Sequence, residues 1–278
     1  MSQLLVRRLM IDMDEAIARD WCDGDAFRSA FLNALSMSFP QGEQFFMDAV
    51  RDGVAQLPPA QREAFAAEVK GFVGQEATHR HLHAQYNRHL ADLGYVNHWE
   101  RRILKRRRQL EGKDLRHWLA TTAAYEHFTA ILAAWLLEHP EVLGQRDPRL
   151  KTLWLWHSAE ESEHRSVAFD VYRALGGNEL WRKRWFRLVT WFLITDLLRQ
   201  TVHHLRRDGQ LWRRATWRSA WRLLFGATGL VRDLLPAWRA YFAADFHPAQ
   251  DDDAASRAWL NAHQDAYRVV GQAQPSQA

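Results

Sequence analysis

Histidine and glutamate recur in this sequence at spacings that suit a metal site. His157, Glu161 and His164 are separated by four and then three positions, so on a helix they share one face. An imidazole, a carboxylate and a second imidazole in one stripe are donors that a borderline transition metal such as iron or manganese accepts. Glu76 and His79 form a second pair, three apart, with His83 one turn further on. His83 reads as a pocket or surface histidine rather than as a ligand. Two more glutamates stand in apolar company: Glu43 among Phe39, Phe45, Phe46 and Val50, and Glu126 among Ala123, Ala124, Phe128 and Ala130. Taken alone, Glu43 reads as a solvated residue just after Pro40. A charged Glu126 would cost several kcal/mol without a partner, and the alternative is that it keeps its proton.

Taken in order, the four positions say more than any one of them. One glutamate from each of two helices, plus a Glu-x-x-His from each of two others, is the inward-facing set of di-iron carboxylate bundles. Four carboxylates and two imidazoles suit a pair of cations, and without metal four facing acids could not all ionise. His157, four residues before Glu161, is read as a further nitrogen ligand, the alternative being a pocket histidine. Glu160 is placed to accept the free ring N–H of a ligand histidine such as His79, and Gln75 to serve His164 in the same way. Glu163 is expected to face outward.

The elements that must hold these residues are helices, because long 3.6-residue periodicities dominate and alternating β-branched runs are absent. The first is expected over 25–52, kinked after Phe39 by Pro40. The second opens at Pro58-Pro59 and ends at Gly94. The third is capped by Asp114 and runs to about Glu138, and the fourth runs from the Asp147 cap and Pro148 to Gly176-Gly177 as one long helix. Between the second and third lies a basic stretch, residues 101–108, read as a solvated helix face or a contact for anionic lipid. No nucleic-acid-reading motif accompanies it, so nucleic acid is not expected as a partner.

At 278 residues, 47% hydrophobic and 25% charged, the chain reads as globular. Its one cysteine, Cys22, excludes an intrachain disulfide and a thiolate metal site, and fits a reducing cytoplasm. Residues 1–15 are interrupted by Arg7, Arg8, Asp12 and Asp14, so no signal core is expected there. The longest apolar run, 188–198, is too short to span a bilayer and contains Asp196.

Several stretches resemble the bacterial family labelled predicted metal-dependent hydrolase. They are Phe39-Pro40-x-Gly42-Glu43-x-Phe45-Phe46, Gln75-Glu76-Ala77-x-His79-x-x-x-His83, Glu126-His127-Phe128-Thr129-Ala130, and His157-x-Ala159-Glu160-Glu161-x-Glu163-His164. The resemblance covers roughly residues 7–230, and the family label implies hydrolysis. The ligand order is also similar to the aryl-amine N-oxygenases of the ferritin-like superfamily, which implies Glu43, Glu76, His79, Glu126, His157, Glu161 and His164 as ligands. The Trp/Arg-rich tail departs from those enzymes, so their substrate is not carried over.

That tail holds thirteen Lys or Arg against three Asp, and seven of the fourteen Trp, between positions 181 and 239. Trp181, Trp185, Trp191, Trp212, Trp217, Trp221 and Trp238 alternate with Arg182, Arg184, Arg187, Arg213, Arg214, Arg218 and Arg222. This is the pattern of amphipathic helices at a bilayer interface, or of Trp packed on the bundle with Arg reaching for water. The expected organisation is all-α: a ferritin-like four-helix bundle over 1–177, a Trp/Arg-rich helical extension over 178–247 on the bundle or on a membrane, and a tail over 248–278, frayed at its end. The expected activity is that of a di-iron enzyme using O₂ and an external electron donor to oxidise a small organic substrate. Manganese or zinc could take the place of iron. A metal-dependent hydrolase and a non-catalytic metal-binding bundle are the alternatives.

Overall fold

The computed structural model describes residues 4–272, and the fold is all-α. Four helices form the core: α2 (Phe39–Ala55), α3 (Pro59–Asp92), α5 (Leu115–Glu138) and α6 (Pro148–His164). They close into a ring, with α2 on α3, α3 on α6, α6 on α5 and α5 on α2. Local chemistry sets their ends. Asp114 accepts from the Arg116 N–H at the start of α5, and Asp147 accepts from Arg149 and Leu150 at the start of α6. Pro59 and Pro148 occupy first turns, where no amide partner is lost. After α3, Gly94 takes φ +83°, a conformation that stops the helix at little cost to glycine.

The core helices place their buried carboxylates and imidazoles in one layer. One apolar cluster contains Trp21, Tyr86, Leu90, Trp135, Leu153 and Trp156, and the other contains Phe45, Phe46, Phe72, Leu119, Ala124, Val167 and Phe169. On α3, residues 75–79 fall between Phe72 of one cluster and Leu82 of the other, and on α5 Glu126 falls between Ala124 and Trp135. On α6, residues 157–164 follow Trp156, and Val167 lies just beyond them. The chain thus walls a polar band above and below with hydrocarbon.

The remaining elements surround this core. Helix α1 (Ala26–Ser36) is capped by Asp25. The basic stretch lies on α4 (His98–Leu110), and α7 (Val167–Ala174) follows α6 and packs on α5 and α2. Helix α8 (Glu179–Arg207) packs on α1 and α5, α9 (Arg214–Phe225) on α1, α10 (Leu230–Ala240) on α5 and α9, and α11 (Ala254–Ala262) on α6 and α5. A two-stranded antiparallel ribbon ties the ends of the chain together, β1 (Arg7–Leu9) pairing with β2 (Tyr267–Val269).

Several details differ from the sequence expectation. The first helix is two helices, broken at Met37 and Ser38, just before the position that Pro40 implies. Both break residues keep right-handed helical angles, so Pro40 sits in a new first turn rather than at a kink. The fourth helix is also broken, at Arg165 and Ser166, immediately after His164. Three-residue strands carry no readable alternation, so the sequence does not announce the ribbon. Arg182 does not belong to an exposed basic face: it is fully buried, donating to the Tyr241 and Ala243 carbonyls and paired with Glu179. Phe186 is fully buried too, whereas Trp191, Trp212, Trp217 and Trp221 are exposed. In the basic stretch, Arg102 and Arg106 pair with the buried Asp196, and Arg107 pairs with Asp48. No helix among the described residues is long and apolar enough to cross a membrane. The frayed terminus expected beyond residue 272 lies outside the described residues.

Candidate metal centre

The four core helices bring Glu43, Glu76, His79, Glu126, His157, Glu161 and His164 together, and each is less than 5% exposed. Glu161 occupies the middle. Its Oε1 lies 2.7 Å from His157 Nε2, 3.6 Å from His79 Nδ1 and 3.8 Å from His164 Nε2. Glu43 Oε1 is 3.9 Å from His157 Nε2, and Glu76 Oε1 is 3.6 Å from His164 Nε2. Glu126 faces the other side of the His164 ring, with Oε2 3.0 Å from Nδ1. Two donor groups result, one of Glu76, His79, Glu161 and His164 and one of Glu43, His79 and His157. His79 belongs to both, while Glu126 lies in neither and meets the first at His164. The cluster could therefore hold two metal ions.

The electrostatics favour cations. All four oxygens of Glu43 and Glu76 lack a hydrogen-bond partner, as do Glu126 Oε1 and Glu161 Oε2. Burial, and then repulsion from Glu161 and Glu126, pushes Glu43 well above the ordinary carboxylate range. Glu76 is raised by burial and by Glu126, Glu161 and Glu43. Burial also raises Glu126, against the pull of His164. Glu161 is lowered: burial opposes this, but His164 and His157 outweigh it. His164 is pushed up to about 9, because Glu126 and Glu161 overcome its burial. Two divalent cations would bring four positive charges to these four carboxylates and displace the protons that now keep them compatible.

Behind the donors, neighbouring groups fix the rings. Glu160 Oε2 lies 2.9 Å from His79 Nε2, so a proton on Nε2 leaves the Nδ1 lone pair aimed at Glu161. Burial raises Glu160 to about 8, and Arg7, 3.0 Å away, pulls in the opposite direction. His157 Nδ1 lies 2.8 Å from His83 Nε2, and His83 Nδ1 lies 2.9 Å from the Ser36 hydroxyl, which also meets Asn87 Oδ1 at 2.9 Å. If each ring donates outward along that chain, His157 Nε2 keeps a free lone pair toward Glu161 and Glu43. His83 is thus a fully buried positioning group for His157, in keeping with its place one turn from His79.

Two expectations are corrected here. Gln75 does not reach His164: its amide donates to the Leu5 carbonyl at 3.0 Å and to Glu163 at 2.7 Å. Glu163 does not face outward freely, since Arg7 grips both its oxygens at 2.7 and 2.9 Å. The missed organiser is Arg7, delivered by β1 from the far end of the chain. No local spacing could have announced it. We expect Glu160→Leu to weaken metal binding about 10- to 100-fold, with a smaller loss for Glu160→Gln, which keeps an acceptor for His79. Competition with a coloured chelator measures both.

No curated protein and no solved structure matches the chain. A family model described as predicted metal-dependent hydrolase matches residues 5–252, so the chain belongs to that family.

Proposed function

We propose that the protein is a binuclear-metal enzyme, loaded with iron, that uses O₂ to oxidise a small organic substrate, with an external electron donor sustaining turnover. The observation that carries this reading is the fully enclosed carboxylate set, six of its eight oxygens without a hydrogen-bond partner, beside an apolar cavity. That cavity has a volume of about 780 Å³. Phe39 separates the two, lining the cavity while its ring centroid lies 4.7 Å from His157 and 4.5 Å from His83. Gly42 and Phe46, on either side of Glu43 in sequence, also line it, as does Thr129, whose hydroxyl donates to the Glu126 backbone carbonyl at 3.0 Å. An apolar chamber of this kind admits O₂ and hydrocarbon and keeps bulk water from reactive species.

Bound in the cluster, two ferrous ions would supply the electrons that O₂ takes up. The chain's own contribution is positional. Glu160 and Arg7 hold His79, and His83 with Ser36 holds His157. Glu161 has oxygens enough to face three imidazoles at once, and Phe39 and Thr129 present the substrate side. Glu43 and Glu76, with no hydrogen bonds to break, are free to change how they meet a cation.

Hydrolysis is the second reading, and the family's description favours it. The same residues would then hold ions that acidify a water, with no need for O₂. The two readings separate on metal and gas. Protein loaded anaerobically with Fe(II) should bind two ions per chain and consume O₂ in proportion to its iron. If Zn(II) or Mn(II) protein instead cleaves a panel of nitrophenyl esters without O₂, the chemistry is hydrolytic. Metal uptake with neither activity would identify a binding bundle.

A further inference from the structure

The cavity beside the cluster has a composition and a shape that point to one class of ligand. It follows α5 from Thr121 to Leu132, eleven residues or about 16 Å, and α8 from Trp185 to Leu197, twelve residues or about 18 Å. It therefore extends about that far along both helices. Leucine, isoleucine, phenylalanine and tryptophan form most of its wall. Its lining includes no aspartate or glutamate but does include three cations, Arg106, Arg107 and Lys113. Arg107 is matched by Asp48, but Asp196 alone meets both Arg102 and Arg106, with Arg199 3.8 Å away, so positive charge is in excess. Lys113 is in no ion pair among the described residues.

The side of the cavity toward solvent is apolar as well. Leu188, Ile194, Val231 and Leu235 line it and are all more than a third exposed, and the exposed Trp191 and Leu198 lie on α8 beside them. Exposed hydrocarbon that continues into a cavity is a route of entry for a hydrocarbon ligand.

We propose that the ligand of this cavity is a long-chain amphiphile with an anionic head group, its chain lying along α5 and α8 past Phe39 and its head meeting the cations on and just after α4, Arg106, Arg107 and Lys113. This names the substrate class for the site and rests on the metal-enzyme reading for its chemistry, though not for the binding itself. The amphiphile has two sources, free fatty acid or an anionic bilayer on which the exposed Trp and Leu face rests.

The test is binding by the full chain, with metal content counted in the same samples. Palmitate should bind at least about a hundredfold more tightly than octanoate, because each buried methylene adds to affinity. Leu193→Trp, which fills the cavity wall, should remove that chain-length dependence while the metal count stays unchanged. Lys113→Glu, at an exposed position where folding is safe, should weaken palmitate at least about threefold and strengthen a long-chain trimethylammonium probe. Sedimentation with phosphatidylcholine vesicles, with and without phosphatidylglycerol, assigns the source: pelleting only with the anionic vesicles at low salt indicates the bilayer, and its absence indicates free amphiphile. Equal weak binding of octanoate and palmitate by metal-loaded protein overturns the proposal and leaves the metal enzyme standing. Tight palmitate binding by a protein that takes up no metal upholds the ligand and overturns the metal enzyme.

Discussion

Replacing Glu43 with leucine is expected to make the metal-free protein more stable and to abolish the proposed activity. Glu43 is 1% exposed, neither oxygen has a hydrogen-bond partner, and burial holds its proton affinity far above that of a solvated carboxyl. Such a group costs folding free energy. An apolar side chain of similar size among Phe39, Phe45 and Phe46 should recover about 1–3 kcal/mol, the range seen when buried polar sets become hydrocarbon. Metal loading responds in the opposite sense. Glu43, His79 and His157 are one of the two donor groups, and losing its only carboxylate should leave at most one ion per chain. A metal centre supplies several kcal/mol of transition-state stabilisation, so turnover should fall about a thousandfold or more. Chemical denaturation of stripped protein, metal counting and turnover read the three effects. Destabilisation of the stripped protein together with full metal loading would mean that Glu43 is an ordinary core residue.

The second large effect is on pH and stability. In the metal-free fold, Glu43, Glu76 and Glu126 bind protons more tightly than in the unfolded chain, as do Glu160, raised to about 8, and His164, raised to about 9. A group whose folded affinity for protons is raised stabilises the fold at low pH, and that stability is lost as pH rises through its folded pKa. His79 and His83 are lowered by burial and act in the opposite direction, but only up to the ordinary histidine range near pH 6.5. Above that, the falling contributions are unopposed within the cluster. Stripped protein should therefore lose several degrees in Tm between about pH 7 and pH 9. Loaded protein, whose carboxylates have already given up their protons to metal, should lose much less, and loading at pH 7 in weak buffer should release protons. Parallel melting curves for the two forms would contradict the account.

Much of the site could be read from local spacing. Three-and-four spacing placed His157, Glu161 and His164 on one face, and the caps Asp114 and Asp147 set the helices that carry Glu126 and Glu161. Glu43 is different. Alone it looked solvated, and only its place in an ordered set of four pointed inward, which the structure's burial of it matches. What escaped was non-local. Arg7 reaches Glu160 and Glu163 across more than 150 residues of chain, and it decides where Glu163 points and what Gln75 bonds. Arg182 looked like one of many tail arginines, yet the carbonyls of Tyr241 and Ala243 draw it inside. The break at Arg165 and Ser166 carries no glycine or proline to announce it, because both residues keep helical angles there.

The most direct measurement is a crystal structure of Fe(II)- or Mn(II)-loaded protein with anomalous data at the metal edge. The account predicts two peaks inside the ring of α2, α3, α5 and α6, touched by Glu43, Glu76, His79, Glu126, His157, Glu161 and His164. A core without anomalous signal under full loading, or metal found only at the surface, would contradict it.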